Sequence, residues 1–270
     1  RVRYAPKRSI RMNKFLIIPK AAEIEKSLEL AREYDLGFEF NDFFLPDMLD
    51  DPLRTEERIA FYRKWELPET LTSHGAFFDV IIFSYDRRIR EISQMRVRQS
   101  VDIARRIGAK GVVFHTNYQH EFLAAGNYRR DWLDSNEKFW RETAENNADI
   151  EIYIENMCDR SPELITELAR RLSGVPNFGL CFDYAHACVY GSDIDNWAKS
   201  VAPYTKHLHI NDNDLKDDLH LAVGSGKIDW ERFKAHLSEY FPNQSVLIET
   251  SDISAQRRSA EFLRKLGALS

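Results

Sequence analysis

The stretch EIYIENMCDRSPELITELARRLSGVPNFGLCFD, residues 151–183, reads as a strand, a helix and a second strand. EIYIE (151–155) and FGLCFD (178–183) are short and largely apolar, as strands buried on both faces are. Residues 161–172 between them carry a helical pattern. Ser161-Pro162-Glu163 places a cap-type serine before a first-turn proline, and Gly174 stands where a left-handed residue would end the helix. Each strand finishes on a carboxylate, Glu155 and Asp183.

The same unit recurs along the chain. Further apolar runs are LIIP (16–19), LGFEF (36–40), LTSH (71–74), GVVFH (111–115), KHLHI (206–210) and VLIE (246–249), so eight strands are expected. Helical spacing covers 22–34, 87–107, 129–147, 194–201, 230–240 and 254–266, with the weakest pattern around 52–64. Gly37 and Gly108, like Gly174, are expected to end helices in the left-handed conformation. Eight strand–helix pairs with continuously apolar strands predict a closed parallel sheet. That is the α/β class and the (β/α)8, or TIM, barrel, whose usual length is about 250 residues. The alternative is an open doubly wound sheet. It would want a glycine-rich phosphate turn after the first strand, and IIPKAAE (17–23) has none. No Pro/Gly/Ser-rich linker interrupts residues 12–270, which are read as a single domain. Residues 1–11, RVRYAPKRSIR, are basic and precede the apolar opening MNKFLIIP; they are read as an extension outside the fold, whether scar, upstream segment or targeting remnant.

Composition sets outer limits. Of 270 residues, 43% are hydrophobic, 30% charged and 12% aromatic, an ordinary globular balance with ample material for a core. The formal net charge of −5 disfavours a phosphate-hugging surface, so nucleic acid is an unlikely partner, though a local basic groove stays open. No run approaches the roughly 20 apolar residues of a membrane helix. Three cysteines, Cys158, Cys181 and Cys188, with no CxxC pair, point to a reducing compartment, the cytoplasm. A homo-oligomer is compatible with the composition, which does not set the oligomeric state.

Six strands end in a residue able to bind a metal: His74, His115, Glu155, Asp183, His209 and Glu249. In a barrel, all C-terminal strand ends open on one face, where the chemistry sits. One histidine at a strand end is usually structural. Three carboxylates converging on one mouth are another matter, because they repel unless a cation or bound protons neutralise them. Glu155, Asp183, His209 and Glu249 form a mostly oxygen set suited to Mn2+, Mg2+ or Co2+, with Zn2+ as a further choice. His186 and His220 lie just beyond strand ends, and His186 is expected in a loop. In HLHINDNDLKDDLHLAVGSGKIDW (207–230), the acidic residues Asp212, Asp214, Asp217 and Asp218 read as a solvated loop, and Gly224-Ser225-Gly226 would let backbone approach a ligand. Cys181 and Cys188 read as packing residues. Glu39 reads as a salt-bridge partner. The aromatics Phe77, Phe78, Phe83, Tyr118 and Trp230 fit a pocket lining or a core equally well.

At SHGAF (73–77), VVFH (112–115), IEN (154–156), CFDYAHA (181–187), HLHIND (207–212), DLHLAVGSGKIDW (218–230) and LIET (247–250), the chain resembles the xylose-isomerase-like TIM-barrel superfamily. That superfamily groups sugar isomerases and epimerases with the endonuclease IV type of abasic-site nuclease. The epimerase-like branch implies one divalent metal on Glu155, Asp183, His209 and Glu249, with Glu155 and Glu249 as acid and base on a sugar or sugar phosphate, through an enediolate. His186 would then contact substrate oxygens. The nuclease branch implies three zinc ions on nine positions: His74, His115, Glu155, Asp183, His186, His209, Asp218, His220 and Glu249. Three departures weigh against the nuclease. The 209–218 interval is short, Ser225 replaces a glutamate in the Gly-x-Gly turn, and His115-Thr116-Asn117 replaces a His-Pro-Gly turn. The resemblance therefore favours a metal-dependent isomerase or epimerase. The other readings are the nuclease, a metal-dependent lyase or dehydratase, and a sugar-binding barrel without turnover, which intact Glu155 and Glu249 disfavour.

Overall fold

A computed structural model describes residues 13–122 and 126–270. The extension expected over 1–11 lies outside the described residues. Eight parallel strands close into a barrel in chain order. They are β1 (Lys14–Ile17), β2 (Gly37–Phe40), β3 (Leu71–His74), β4 (Gly111–His115), β5 (Glu151–Glu155), β6 (Phe178–Asp183), β7 (Thr205–Ile210) and β8 (Ser245–Ile248). Closure comes from β1 pairing with β8, with Leu16 opposite Leu247. Every apolar run quoted above contributes a strand, and the open-sheet alternative is excluded.

The helices are α1 (Ile24–Tyr34), α2 (Pro46–Leu49), α3 (Pro52–Tyr62), α4 (Arg87–Ile107), α5 (Tyr128–Glu145), α6 (Glu163–Arg171), α7 (Tyr184–Tyr190), α8 (Ile194–Val201), α9 (Trp230–Tyr240) and α10 (Ile253–Leu266). The weakly patterned second helix forms as α3, with Asp51 capping it through the Arg54 N–H. Gly108 ends α4 at φ 87°, as expected. Two other expectations fail. Asp35, at φ 51°, is the left-handed residue after α1, and Gly37 opens β2 instead. A Cβ there would fall 2.5 Å from the Thr70 carbonyl oxygen, so close strand approach is what calls for glycine. Gly174 lies beyond the α6 cap at Leu172 and has no positive φ, while Pro162 occupies the N-cap and Ser161 makes no cap bond. None of the described helices is long and apolar enough to cross a membrane.

The main core packs the outer sheet face against the helices, with Trp132, Trp140, Trp197 and Phe233 among its fully buried members. Inside the barrel lie small separate clusters, Leu16–Ile18–Leu247 and Val113–Tyr153–Cys181. Strand side chains alternate faces, so the residue two positions on from an inner one is also inner. Val113 is followed by His115, Tyr153 by Glu155, Cys181 by Asp183, and Leu247 by Glu249. The pleat thus lifts a polar ring one step above the interior packing, at the C-terminal mouth.

Candidate metal centre

The nine positions singled out in the sequence come together at this mouth in three groups. Within each group the potential ligand atoms lie within 4.8 Å of one another. The middle group is Glu155, Asp183, His209 and Glu249. Beside it are His74, His115 and Glu155 on one side and His186, Asp218 and His220 on the other. Glu155, which has no exposed surface, belongs to two groups at once.

Each element fixes its side chain by a local device. Asp183 ends β6 and also caps α7: its Oδ1 accepts the His186 N–H at 2.6 Å, leaving Oδ2 buried without a hydrogen bond. His186 therefore sits in the first helical turn, not in the expected loop. The three-residue spacing from cap to third amide sets its place. Its Nδ1–H donates to the Asn156 carbonyl at 2.9 Å, which turns Nε2 toward Asp218 Oδ2 at 3.2 Å. His220 donates from Nδ1 to the Glu249 carbonyl at 3.0 Å and presents Nε2 to the same Asp218 oxygen at 2.9 Å. It does so with a left-handed φ of 46°, an unusual conformation for histidine outside a constrained site. His74 donates from Nδ1 to the Gly75 carbonyl, and its Nε2 lies 3.1 Å from His115 Nε2. His209 points Nδ1 into the centre, 3.3 Å from Glu155 Oε2 and 3.6 Å from Glu249 Oε2.

Two residues behind the centre were not legible as part of it. Glu39 Oε1 lies 3.1 Å from His209 Nε2, though off the line of a good hydrogen bond. Its Oε2 accepts from Thr72 Oγ1 at 2.7 Å and sits 3.0 Å from His207 Nε2. His207 in turn meets Ser245 Oγ at 2.6 Å and stacks on Tyr153. The His-Leu-His alternation of β7 was the available signal, since period two puts His207 and His209 on one face.

Burial alone would raise the carboxylates. The imidazoles of His209 and His115 reverse this for Glu155 and hold it well below the usual range, and His209 and His220 lower Glu249. Asp183 is pushed up to about 8, by burial and by the charges of Glu155 and Glu249, against the pull of His186. Burial would lower His209, but Cys181, Glu155, Glu39 and Glu249 raise it well above its ordinary value. His186 is likewise raised against burial, chiefly by Asp183 and Asp218. His115, by contrast, is lowered by burial.

Charge pairing leaves many hydrogen-bonding positions unused. Both Glu155 oxygens, Asp183 Oδ2, His209 Nδ1, Glu249 Oε2 and Asp218 Oδ1 are buried without a hydrogen bond. Such atoms are costly in a protein interior, and here they point at one another. The donor set fits divalent cations, which satisfy carboxylate oxygens and neutral imidazoles together.

Other expectations resolve differently. Asp212 serves structure: it accepts from the N–H groups of Gly224, at 2.9 Å, and Ile228, and from Trp230 Nε1 at 2.8 Å. The glycines make close approach to the chain itself, since a Cβ on Gly226 would fall 2.3 Å from the Asn213 carbonyl oxygen. Asp214 accepts from the amides of Lys216 and Asp217, leaving Asp218 as the member of that acidic run within the centre. Of the aromatics, Phe77 packs on the His74 and His115 rings with centroids 5.0 and 4.7 Å away. Phe78 is exposed, whereas Phe83, Tyr118 and Trp230 are buried. Cys181 is buried as expected, beside His207 and His209.

A family model described as xylose isomerase-like TIM barrel matches residues 28–266, and the chain belongs to that family. Among curated relatives, the uncharacterized protein MJ1311 of Methanocaldococcus jannaschii is 28% identical over 202 residues, covering 71% of this chain and 68% of its own length. The probable endonuclease 4 of Mycobacterium leprae is 27% identical over 197 residues, covering 68% of this chain and 74% of that protein. Among solved structures, a D-tagatose 3-epimerase-like protein superposes with a TM-score of 0.73 at 23% identity, covering 94% of this chain and 96% of its own, a likeness of fold.

Proposed function

We propose that this protein is a divalent-metal-dependent isomerase or epimerase of a sugar or sugar phosphate, acting through an enediolate. The observation that supports it best is the middle group, in which Glu155 and Glu249 are both buried, both held ionised, and grouped with Asp183 and His209. A cation held there supplies Lewis-acid polarisation of a carbonyl; Mn2+ suits the oxygen-rich set best, with Mg2+, Co2+ or Zn2+ as alternatives. The chain's own residues supply the rest. Glu249 lines a cleft at the mouth, and its carboxylate is placed to take a proton α to a carbonyl. Glu155, beneath it, is the second carboxylate and returns a proton to the opposite face or the neighbouring carbon. His186, pinned by Asn156, orients a substrate oxygen. The three free thiols agree with work in the reducing cytoplasm.

The test is exchange of substrate α-hydrogen with solvent deuterium across ketoses and their phosphates. Glu155→Gln and Glu249→Gln should each lower the rate by about 10²–10⁴-fold, with metal content measured in the same samples. Metal-replete variants of undiminished activity would show the two-carboxylate mechanism to be wrong. Loss of water from the substrate in the same assay would mark a lyase or dehydratase, and binding without exchange a non-catalytic barrel.

A second reading draws on the two flanking groups and on the endonuclease 4 relatives: zinc-dependent phosphoester cleavage at abasic sites. It requires three zinc ions per chain and incision that Glu249→Gln abolishes. One ion per chain, with no incision above a metal-free control, supports the isomerase.

A further inference from the structure

Beside the centre, a cleft of about 370 Å³ has Lys20, Asn41, Asp42, Ser251, His220 and Glu249 as its polar lining. It therefore opens onto two of the groups described above, at the β1, β2 and β8 side of the mouth. Its volume falls within the range of small-ligand sites.

Two of its polar groups lack partners in the protein. Lys20 is half-buried in the β1–α1 connection, where its backbone N–H is held by Ser27 Oγ at 3.0 Å. Among the described residues its ammonium makes no hydrogen bond or ion pair. Asn41 Oδ1 is buried without a hydrogen bond. Asp42, in the same lining, feels the Lys20 charge but forms its direct bonds with the Arg58 guanidinium and, at 2.5 Å, with the Tyr62 hydroxyl. With Asp42 matched by Arg58, the Lys20 charge is left without a direct partner on the β1–β2 side of the cleft. Glu249, on the β8 side of the cleft, faces His209 and His220 at 3.6 and 3.9 Å.

A second cleft, of about 250 Å³, lies at the β3–β5 side of the mouth, lined by Asp79, Thr116, Asn117, Gln119, Met157 and Cys158 among others. It contains amides, a hydroxyl and a carboxylate, and no cation. An anionic substituent is repelled there and attracted at Lys20.

Resting on the isomerase reading, we propose that the Lys20 cleft is the anion-binding end of the substrate site and that the substrate is a phosphorylated sugar. Its phosphomonoester is held by the Lys20 ammonium, and a hydroxyl donates to Asn41 Oδ1. Lysine suits this task as a compact point charge on a flexible stem, which reaches a phosphate without the fixed fork of arginine.

The test is calorimetric titration of the full chain loaded with Mn2+, using D-ribulose 5-phosphate and D-fructose 6-phosphate against D-ribulose and D-fructose. The phosphates should bind at least about tenfold more tightly than the free ketoses, the loss expected for one charge-assisted contact. Lys20→Gln should erase that preference and leave free-ketose affinity unchanged, while Lys20→Arg retains most of it. A Lys20→Gln protein that is folded by its melting curve and still prefers phosphates places the anion elsewhere and overturns the proposal. Free ketoses bound as well as their phosphates overturn it too, with the sugar reading intact. Failure of all four ligands to bind the metal-loaded protein overturns both together.

Discussion

Replacing Glu39 by Gln removes one negative charge behind the centre while keeping side-chain volume. Glu39 has no exposed surface, and its carboxylate lies 3.1 Å from His209 Nε2, so the other ring nitrogen is aimed at Glu155 and Glu249. At an effective dielectric of about 20, unit charges at that separation interact by about 5 kcal/mol, an upper bound. Most of this is offset by desolvation, and the contact lies off the line of a good hydrogen bond. Carboxylates behind a metal-binding imidazole change affinity by about 10–100-fold when mutated, or about 1.4–2.8 kcal/mol. Glu39→Gln should therefore weaken metal binding by about that factor, read by competition against a chromophoric chelator. Thr72→Val, which removes only the 2.7 Å bond to the other carboxylate oxygen, should have a smaller effect. A Glu39→Gln protein with wild-type melting behaviour and metal affinity within about twofold of wild type would refute the idea that Glu39 sets the orientation and basicity of His209.

Metal uptake at pH 7 should release protons, because ligation needs a neutral imidazole and an ionised carboxylate, while His209 and His186 are raised and Asp183 sits at about 8. Calorimetry in two buffers of different ionisation enthalpy measures this, and an unchanged apparent enthalpy would contradict it. Asp183→Asn should keep α7, since Asn caps as well as Asp, yet lose most metal affinity; circular dichroism and bound-metal content separate the two effects. At the surface, Arg170 and Arg171 lower Glu167 to about 2. The stability this contributes is present above the unfolded carboxylate value of about 4.3 and is lost as pH falls toward 2; with solvent screening it is at most about 1 kcal/mol. Glu167→Gln should flatten that part of the acid-unfolding profile, and an unaltered profile would show that the pair contributes nothing.

The barrel was legible because each apolar run is bounded and ends on a polar residue, as in EIYIE and FGLCFD, and because the two-residue pleat makes those ends inward-facing. What escaped was of two kinds. α7 is seven residues long and follows β6 with no intervening loop, so too few turns exist to show a helical period, and His186 read as a loop residue. Glu39 and His207 meet across 168 residues of sequence, and no local pattern announces a partner at that distance. The GSG turn misled for a related reason. Glycine signals close approach without saying to what, and here the answer is the backbone at Asn213.

Asp183 divides its two oxygens between the first turn of α7 and the centre. Any pull on Oδ2 is therefore felt at Oδ1, and through it at the amide of His186. That amide is buried and donates to Asp183 Oδ1, so its hydrogen-exchange rate reports on the carboxylate. A cation that immobilises Asp183 should slow exchange at His186, while the amides of α6, on the far side of β6 in sequence, keep their rates. The helix cap thus serves as a built-in reporter of occupancy, readable without any substrate in hand.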